Sequence, residues 1–414
     1  MSITKIKSYL AQVNFPGDLA QLPDDAYLVG GSVRDALLQR YRHPLDLDFV
    51  VPGEAIATAK EFASLYHGGF VVLDQERGIA RVVFDQGTLD LADQQGVGLE
   101  TDLHRRDFTI NAIAYNLKSQ QLVDPLGGLA DLEQGVLRMV AVKNLEDDPL
   151  RLLRAYRQAA QLNFTIEAET KKAIADRVVL LKNMAAERVQ AELNYLLTAP
   201  DGDQWLAAAI ADGLLNFWLP HSDQVDLAKL KAVTRGLEIC RELTSELGNE
   251  SALERSQWAI LAKLSAMVAT EPITAQAELT HLKYATNQIR AVAKTVKYLS
   301  GLQQMTQPMS LREQYFWFLE VKNIFPLLLA RSIALGIPSI IIDPLMERYL
   351  EPSDPVAHPQ CLVTGNDLIS QLNLKPSRVI GELLTEIQVA QIESKVTTFS
   401  QAIDFARSIL QAAK

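Results

Sequence analysis

Only two cysteines, Cys240 and Cys361, occur in 414 residues. They have no metal-ligand spacing and cannot build a disulfide framework, which excludes a zinc module and a disulfide-stapled scaffold. They read as ordinary thiols of a reducing compartment. Long apolar runs are missing too. No stretch approaches the length of a transmembrane helix, and Met1 to Leu10 carries Lys5 and Lys7 without the apolar core of a signal peptide. A cytoplasmic protein is expected. Low-complexity tracts and repeats of fixed period are absent, so a solenoid is not expected. Positive charge is in deficit: 40 Lys and Arg against 50 Asp and Glu, net −10. That argues against a general nucleic-acid coat but leaves room for a local basic groove. What remains is ordinary globular composition, 48% hydrophobic, at a length expected to divide into roughly two to four packed units.

The first third of the chain mixes strands and helices. Tyr27 to Val29 is a short apolar strand broken by Gly30-Gly31. Ser32 to Tyr41 has helical spacing, with Ser32 as N-cap and Asp35 three residues on. Leu45 to Val51 alternates Asp with apolar residues and reads as a strand closed by Pro52-Gly53. A helix over Glu54 to Tyr66 and strands near Phe70 to Asp74, Ala80 to Phe84 and Thr88 to Ala92 follow. Sequential strands with short turns predict a small mixed sheet. From about residue 146 helical patterns dominate, with loops marked by Pro200-Asp201-Gly202, Pro220, Pro272, Pro308, Pro338 and Pro352 to Pro359. The expected fold class is α+β: a small mixed β-sheet head followed by an elongated all-α extension.

Asp46-Leu47-Asp48 carries the first chemistry. Residues i and i+2 of a strand share a face. Two carboxylates there can bridge divalent ions for two-metal phosphoryl transfer, and hard oxygen ligands suit Mg²⁺. Alone, the pair reads as readily as two solvated carboxylates on an edge strand. Gly30-Gly31 lies just before it. A glycine pair between strand and helix lets backbone N–H groups approach a phosphate at a helix N-terminus, with Arg34 in reach of the same anion; a tight turn is the plainer alternative. Asp90, between Leu89 and Leu91, is a candidate third carboxylate.

Arg105-Arg106-Asp107-Phe108-Thr109-Ile110-Asn111-Ala112 leads into what reads as an apolar helix. Guanidinium groups suit phosphate oxygens, and Asp107 and Asn111 suit ribose hydroxyls. Asp147-Asp148-Pro149-Leu150-Arg151-Leu152-Leu153-Arg154 opens the helical region, with Pro149 placed for a first turn. Asp148 and Arg151, three apart, share a face, either as a surface ion pair or as a base reader. Cytosine and adenine each offer an amino donor beside a ring-nitrogen acceptor, which a fixed carboxylate and guanidinium match. Uracil and guanine have the reverse polarity and would leave polar groups unpaired, at roughly a few kcal/mol.

The run Leu28 to Leu38 with Asp46-Leu47-Asp48 resembles the signature of the class II tRNA nucleotidyltransferase and bacterial poly(A) polymerase family. The Arg105 to Ala112 octet resembles its ribose- and phosphate-binding motif, and Asp124-Pro125-Leu126-Gly127-Gly128 through Leu132 its hinge segment. Asp148 and Arg151 fall at its protein template for C and A, and Glu187-Arg188-Val189 through Glu192 resembles its next neck motif. Val363 to Ile369 is similar to its tail.

The resemblance implies a seahorse-like shape: a catalytic head (1–145), a base-reading neck (146–200), a body (201–330) and a tail (331–414), the last two holding the tRNA acceptor arm. It implies Asp46, Asp48 and Asp90 as catalytic residues, with Mg²⁺ on Asp46 and Asp48. Gly30, Gly31, Arg34, Arg106, Asp107, Asn111, Asp148, Arg151 and Arg154 would bind CTP or ATP. Two departures stand out. Asp147 replaces the Glu that usually precedes the template Asp. The stretch Leu91 to His104 is shorter than the flexible loop of complete CCA-adding relatives, which is linked to the switch from C to A; this favours a CC-adding specialist. A poly(A) polymerase is the alternative, disfavoured by the short, mixed end Gln401 to Lys414. An RNA-binding module with a dead site would be expected to have lost Asp46 or Asp48.

Overall fold

A computed structural model of the chain describes residues 2–12, 15–41, 44–244 and 252–412. They form two compact units, Met1–Phe217 and Trp218–Lys414. No described helix is long and apolar enough to cross a membrane.

The first unit opens with helix α1 (Ser2–Gln12) and is built on a seven-stranded mixed sheet. Its strands are β1 (Tyr27–Val29), β2 (Leu45–Val51), β3 (Gly69–Asp74), β4 (Ile79–Phe84), β5 (Gly87–Asp93), β6 (Ala114–Asn116) and β7 (Leu122–Val123), in the order β3-β4-β5-β2-β1-β6-β7. Among the described residues of this sheet only β2 and β5 pair in parallel; its other pairings are antiparallel. Parallel neighbours need a crossover, and here it contains helix α3 (Ala55–Tyr66) and the β3–β4 hairpin. Strand periodicity sorts the two faces. Leu45, Leu47 and Phe49 of β2 and Leu89 and Leu91 of β5 are buried, and α3 adds Ala59, Phe62 and Ala63 to the core. Asp46, Asp48 and Asp90 alternate with these residues and point the other way.

Helix α2 (Gly31–Leu37) links β1 to β2. It is shorter than the expected Ser32–Tyr41, and Gln39 beyond it sits at φ 54°. Gly30, not Ser32, is its N-cap. The Ser32 hydroxyl accepts from Asp48 N–H and donates to Asp46 C=O, both at 3.0 Å, and so stitches α2 to β2. The apolar run after the arginine pair is also corrected. A 3₁₀ turn (Thr109–Asn111) leads into strand β6, which pairs with β1. The run is too short for its period to separate helix from strand, and the open edge of β1 decides.

Two short helices, α4 (Leu99–Leu103) and α5 (Gly128–Gln134), precede a helical region. It comprises α6 (Val142–Asp147), α7 (Leu150–Leu162), α8 (Ala168–Ala175), α9 (Ala186–Thr198) and α10 (Gly202–Ala211). This region is not all-α: β8 (Val136–Leu137) pairs in parallel with β9 (Thr165–Ile166). The second unit is helical among its described residues, from α11 (Leu227–Thr244) to α20 (Phe399–Ala412). Helix α11 packs closely on α16 (Phe325–Ala334); a Cβ at Gly236 would lie 2.1 Å from Ala330 O. The expected divisions at 145/146 and 330/331 fall inside α6 and α16.

Candidate active site

Strand β1 is followed by Gly30, whose φ of 69° and ψ of −138° lie outside what other residues readily adopt. A Cβ there would meet Arg106 Nη1 at 3.0 Å and Asp48 Oδ2 at 3.7 Å. The missing side chain therefore lets a guanidinium and a carboxylate approach the backbone together. Arg34 is held by the protein itself. It is 6% exposed and donates to Asp35 Oδ1 at 2.9 Å and to Asn111 Oδ1 at 2.7 Å. Its guanidinium borders the cavity, but these donors are committed to the protein, because a buried guanidinium must be paired.

The parallel register of β2 and β5 sets Asp48 opposite Asp90. Asp46 is exposed and Asp48 half-buried. Burial, then the charges of Asp46 and Asp90, push the Asp48 carboxyl up to about 6, against the opposing pull of Arg106 and the Ser32 hydroxyl. Like charges are thus gathered on one sheet face without full compensation. Asp90 is the exception, since Arg81 holds both its oxygens at 2.7 Å. The antiparallel register of β4 and β5 places these two residues opposite each other. Among the described residues no three carboxylate, His or Cys side chains cluster to hold an ion by themselves. Asp46 and Asp48 offer two carboxylates, a donor set that suits a hard cation completing its shell with water and phosphate oxygens.

The wall opposite is a network of paired charges. Asp107, 7% exposed, accepts from Phe108 N–H at 2.8 Å, Asn111 Nδ2 at 2.9 Å and Arg154 Nη1 at 3.4 Å. Burial alone would push its carboxyl up. Arg154, Asn111, Arg151 and the Phe108 N–H outweigh that and hold it below the ordinary carboxylate value. Arg154 also donates to Glu192 Oε1 at 3.1 Å, and Arg157 pairs with the other oxygen of the same carboxylate. Helices α7 and α9 are joined through this buried glutamate.

Asp148 and Arg151 flank Pro149 at the junction of α6 and α7. Their side chains are not paired with each other, although the Arg151 N–H donates to the Asp148 carbonyl at 3.0 Å. Asp148 Oδ2 accepts from Arg188 Nη2 at 2.9 Å. Arg151 Nη1 donates to Arg105 O at 2.9 Å and Asn144 O at 3.0 Å, while its Nε is buried without a partner. Inside the Asp-x-x-Arg unit the Leu150 N–H reaches Asp148 Oδ1 at 3.4 Å, and the shorter bonds that orient the two side chains come from outside it. Glycine cradle, carboxylate face, arginine octet and Asp148–Arg151 all border one cavity of about 930 Å³.

Such a cavity sets carboxylates beside a guanidinium-rich wall. The poly(A) polymerase head domain matches residues 26–96 and 90–138, the RNA and SrmB binding site of polymerase A residues 163–225, and tRNA nucleotidyltransferase domain 2 residues 253–406. A CC-adding tRNA nucleotidyltransferase of Synechocystis sp. is 45% identical over 97% of this chain and 98% of its own. The chain belongs to the tRNA nucleotidyltransferase and poly(A) polymerase family. An A-adding tRNA nucleotidyltransferase of Deinococcus radiodurans is 32% identical over 94% of this chain and 96% of its own. A Thermotoga maritima CCA-adding enzyme complexed with tRNA shares the fold, with a TM-score of 0.69 at 22% identity, covering 99% of this chain and 94% of its own.

Within this family member, every residue that sequence reasoning named for the site borders the cavity. Other residues carried no assigned role: Gln158 and Arg188 border the cavity, whereas Arg81 and Glu192 lie behind it and hold groups that do. Arg81 left one signal, a lone charge on the Asp90-facing side of an otherwise apolar strand. Gln158, which accepts from Asn111 Nδ2 at 3.0 Å, left none, since a Gln inside an amphipathic helix looks like surface. Arg188 and Glu192 were visible only as parts of a motif.

Proposed function

We propose that this chain is a cytoplasmic tRNA nucleotidyltransferase that adds C residues to the tRNA 3′ end from CTP, without a nucleic-acid template, and stops before the terminal A. In this reading the head and neck segments (1–145 and 146–200) carry catalysis and base choice. The body and tail (201–330 and 331–414) hold the acceptor arm. The primer 3′ hydroxyl attacks the α-phosphorus, the new P–O bond forms, the α–β bridge breaks, and pyrophosphate leaves while the hydroxyl proton passes to solvent. Asp46 and Asp48 would hold Mg²⁺, which supplies charge neutralisation of the phosphates and activation of the hydroxyl. Arg106 and the backbone of Gly30 and Gly31 face the triphosphate. Asp148 accepts from the exocyclic amino group, its orientation set by Arg188. Arg151 donates to the ring nitrogen, its placement set by two backbone carbonyls.

The observation that carries the CC assignment is the short segment after Asp90. Five residues, 94–98, separate β5 from α4, and Gln95 is tied by its N–H to Asp102 and by its side chain to Asp93 O. A segment this short and this anchored has little freedom to re-aim Asp148 and Arg151 from C to A. The high identity to a CC-adding relative agrees. The test offers the protein tRNAs ending at the discriminator base, at C and at CC, each with labelled CTP or ATP. C should enter on the first two, with neither nucleotide on the third. Incorporation of a single A on the CC substrate would overturn the CC assignment, and unlimited A addition would point to a poly(A) polymerase.

A further inference from the structure

Asp102, in α4, has no part in the chemistry above, yet it is 8% exposed and bonded in two directions. One carboxylate oxygen accepts from Gln95 N–H at 3.1 Å. The other accepts from Arg106 Nη2 at 3.0 Å. A single carboxylate thus grips both the chain just beyond β5 and a guanidinium of the cavity wall. The other terminal nitrogen of that guanidinium, Nη1, lies 3.0 Å from where a Cβ of Gly30 would be, and its Nε is buried without a partner.

The electrostatics explain why Arg106 needs an anchor. Asp46 and Asp48 form an under-compensated negative cluster nearby, and Arg106 already acts on Asp48. An unanchored guanidinium would be drawn onto these carboxylates. It would then occupy the oxygens meant for a cation and withdraw its donors from the glycine cradle. A charge-assisted bond from a buried carboxylate opposes that collapse. It leaves Nε as a buried donor, costly when unpaired and satisfied by an anionic oxygen.

We propose that Asp102 is a positioning residue for the triphosphate. It holds Arg106 across Gly30, keeps it from closing on Asp46 and Asp48, and ties the segment after β5 to the same anchor. This rests on the nucleotidyltransferase reading above.

The test is a double-mutant cycle of Asp102→Asn and Arg106→Gln. It is read as equilibrium CTP binding without RNA and as steady-state C addition to tRNA ending at the discriminator base. Asp102→Asn should raise both Kd and KM for CTP about tenfold, with kcat within about twofold. The double variant should be no worse than Arg106→Gln alone. Asp102→Glu, which keeps the charge, should bind CTP more tightly than Asp102→Asn. An unchanged Kd in Asp102→Asn, additive losses in the double variant, or equal weakening by Glu and Asn would each overturn the proposal. A wild type that binds CTP without transferring it would strike the assigned reaction instead, and the binding cycle would still decide the role of Asp102.

Discussion

The two walls of the cavity solve opposite electrostatic problems. On the sheet face, Asp46, Asp48 and Asp90 bring like charges together, and the Asp48 carboxyl is driven up to about 6. On the neck side, Asp107, Arg154, Glu192 and Arg157 alternate in sign, and the Asp107 carboxyl is held down despite burial. The first wall leaves its carboxylates without full compensation. The second is complete in itself and can present fixed donors and acceptors to a neutral base. One wall leaves charge uncompensated, and the other pairs its charges within the protein.

Breaking the first wall should have the largest effect. Asp48→Asn should lower C incorporation on the order of a thousandfold. Because it also removes like-charge repulsion, the metal-free variant should melt no lower than wild type. A variant that stays active, or that unfolds, would erase the distinction between the walls. The second wall should fail in the opposite way. Glu192→Gln leaves two guanidinium groups without their shared carboxylate and should cost about 3 kcal/mol of stability in denaturant titrations. A loss of activity with no loss of stability would place Glu192 on the substrate side.

Smaller effects sharpen the contrast. Arg151→Ala should reduce the preference for CTP over UTP by roughly ten- to a hundredfold in competition assays, since one donor to the base is lost. Unchanged discrimination would remove Arg151 from base reading. The smallest effect concerns acid. The folded Asp107 value lies below the unfolded value of about 3.9. Its stabilisation is therefore fully present above about pH 4 and is lost as pH falls through the lowered folded value. Wild type should lose its stability advantage over Asp107→Asn below about pH 4, read as urea midpoints at stepped pH. A constant difference across that range would mean that Asp107 is not held down by its arginines.

Much of the first wall could be read directly. A two-residue period puts Asp46 and Asp48 on one face whatever the rest of the chain does, and a glycine pair between strand and helix announces a close backbone approach. The second wall was legible only as residue types. Nothing in the spacing of Asp148 and Arg151 shows that Arg188 holds the one and the Arg105 and Asn144 carbonyls hold the other. Arg34 could be read as a residue near the glycine pair, but its bonds to Asp35 and Asn111 at the cavity edge could not.

The sequence by itself determined the family, the α+β class and the carboxylate pair, because these depend on local period and on motifs a few residues long. Only the tertiary structure decided which charges are left uncompensated. The pairing of Arg81 with Asp90 follows from strand register, the grip of Asp102 on Arg106 from the fold of the segment after β5, and the Arg188–Asp148 bond from the packing of α9 near the start of α7. Such partners are set by distance in space, and no local pattern records them.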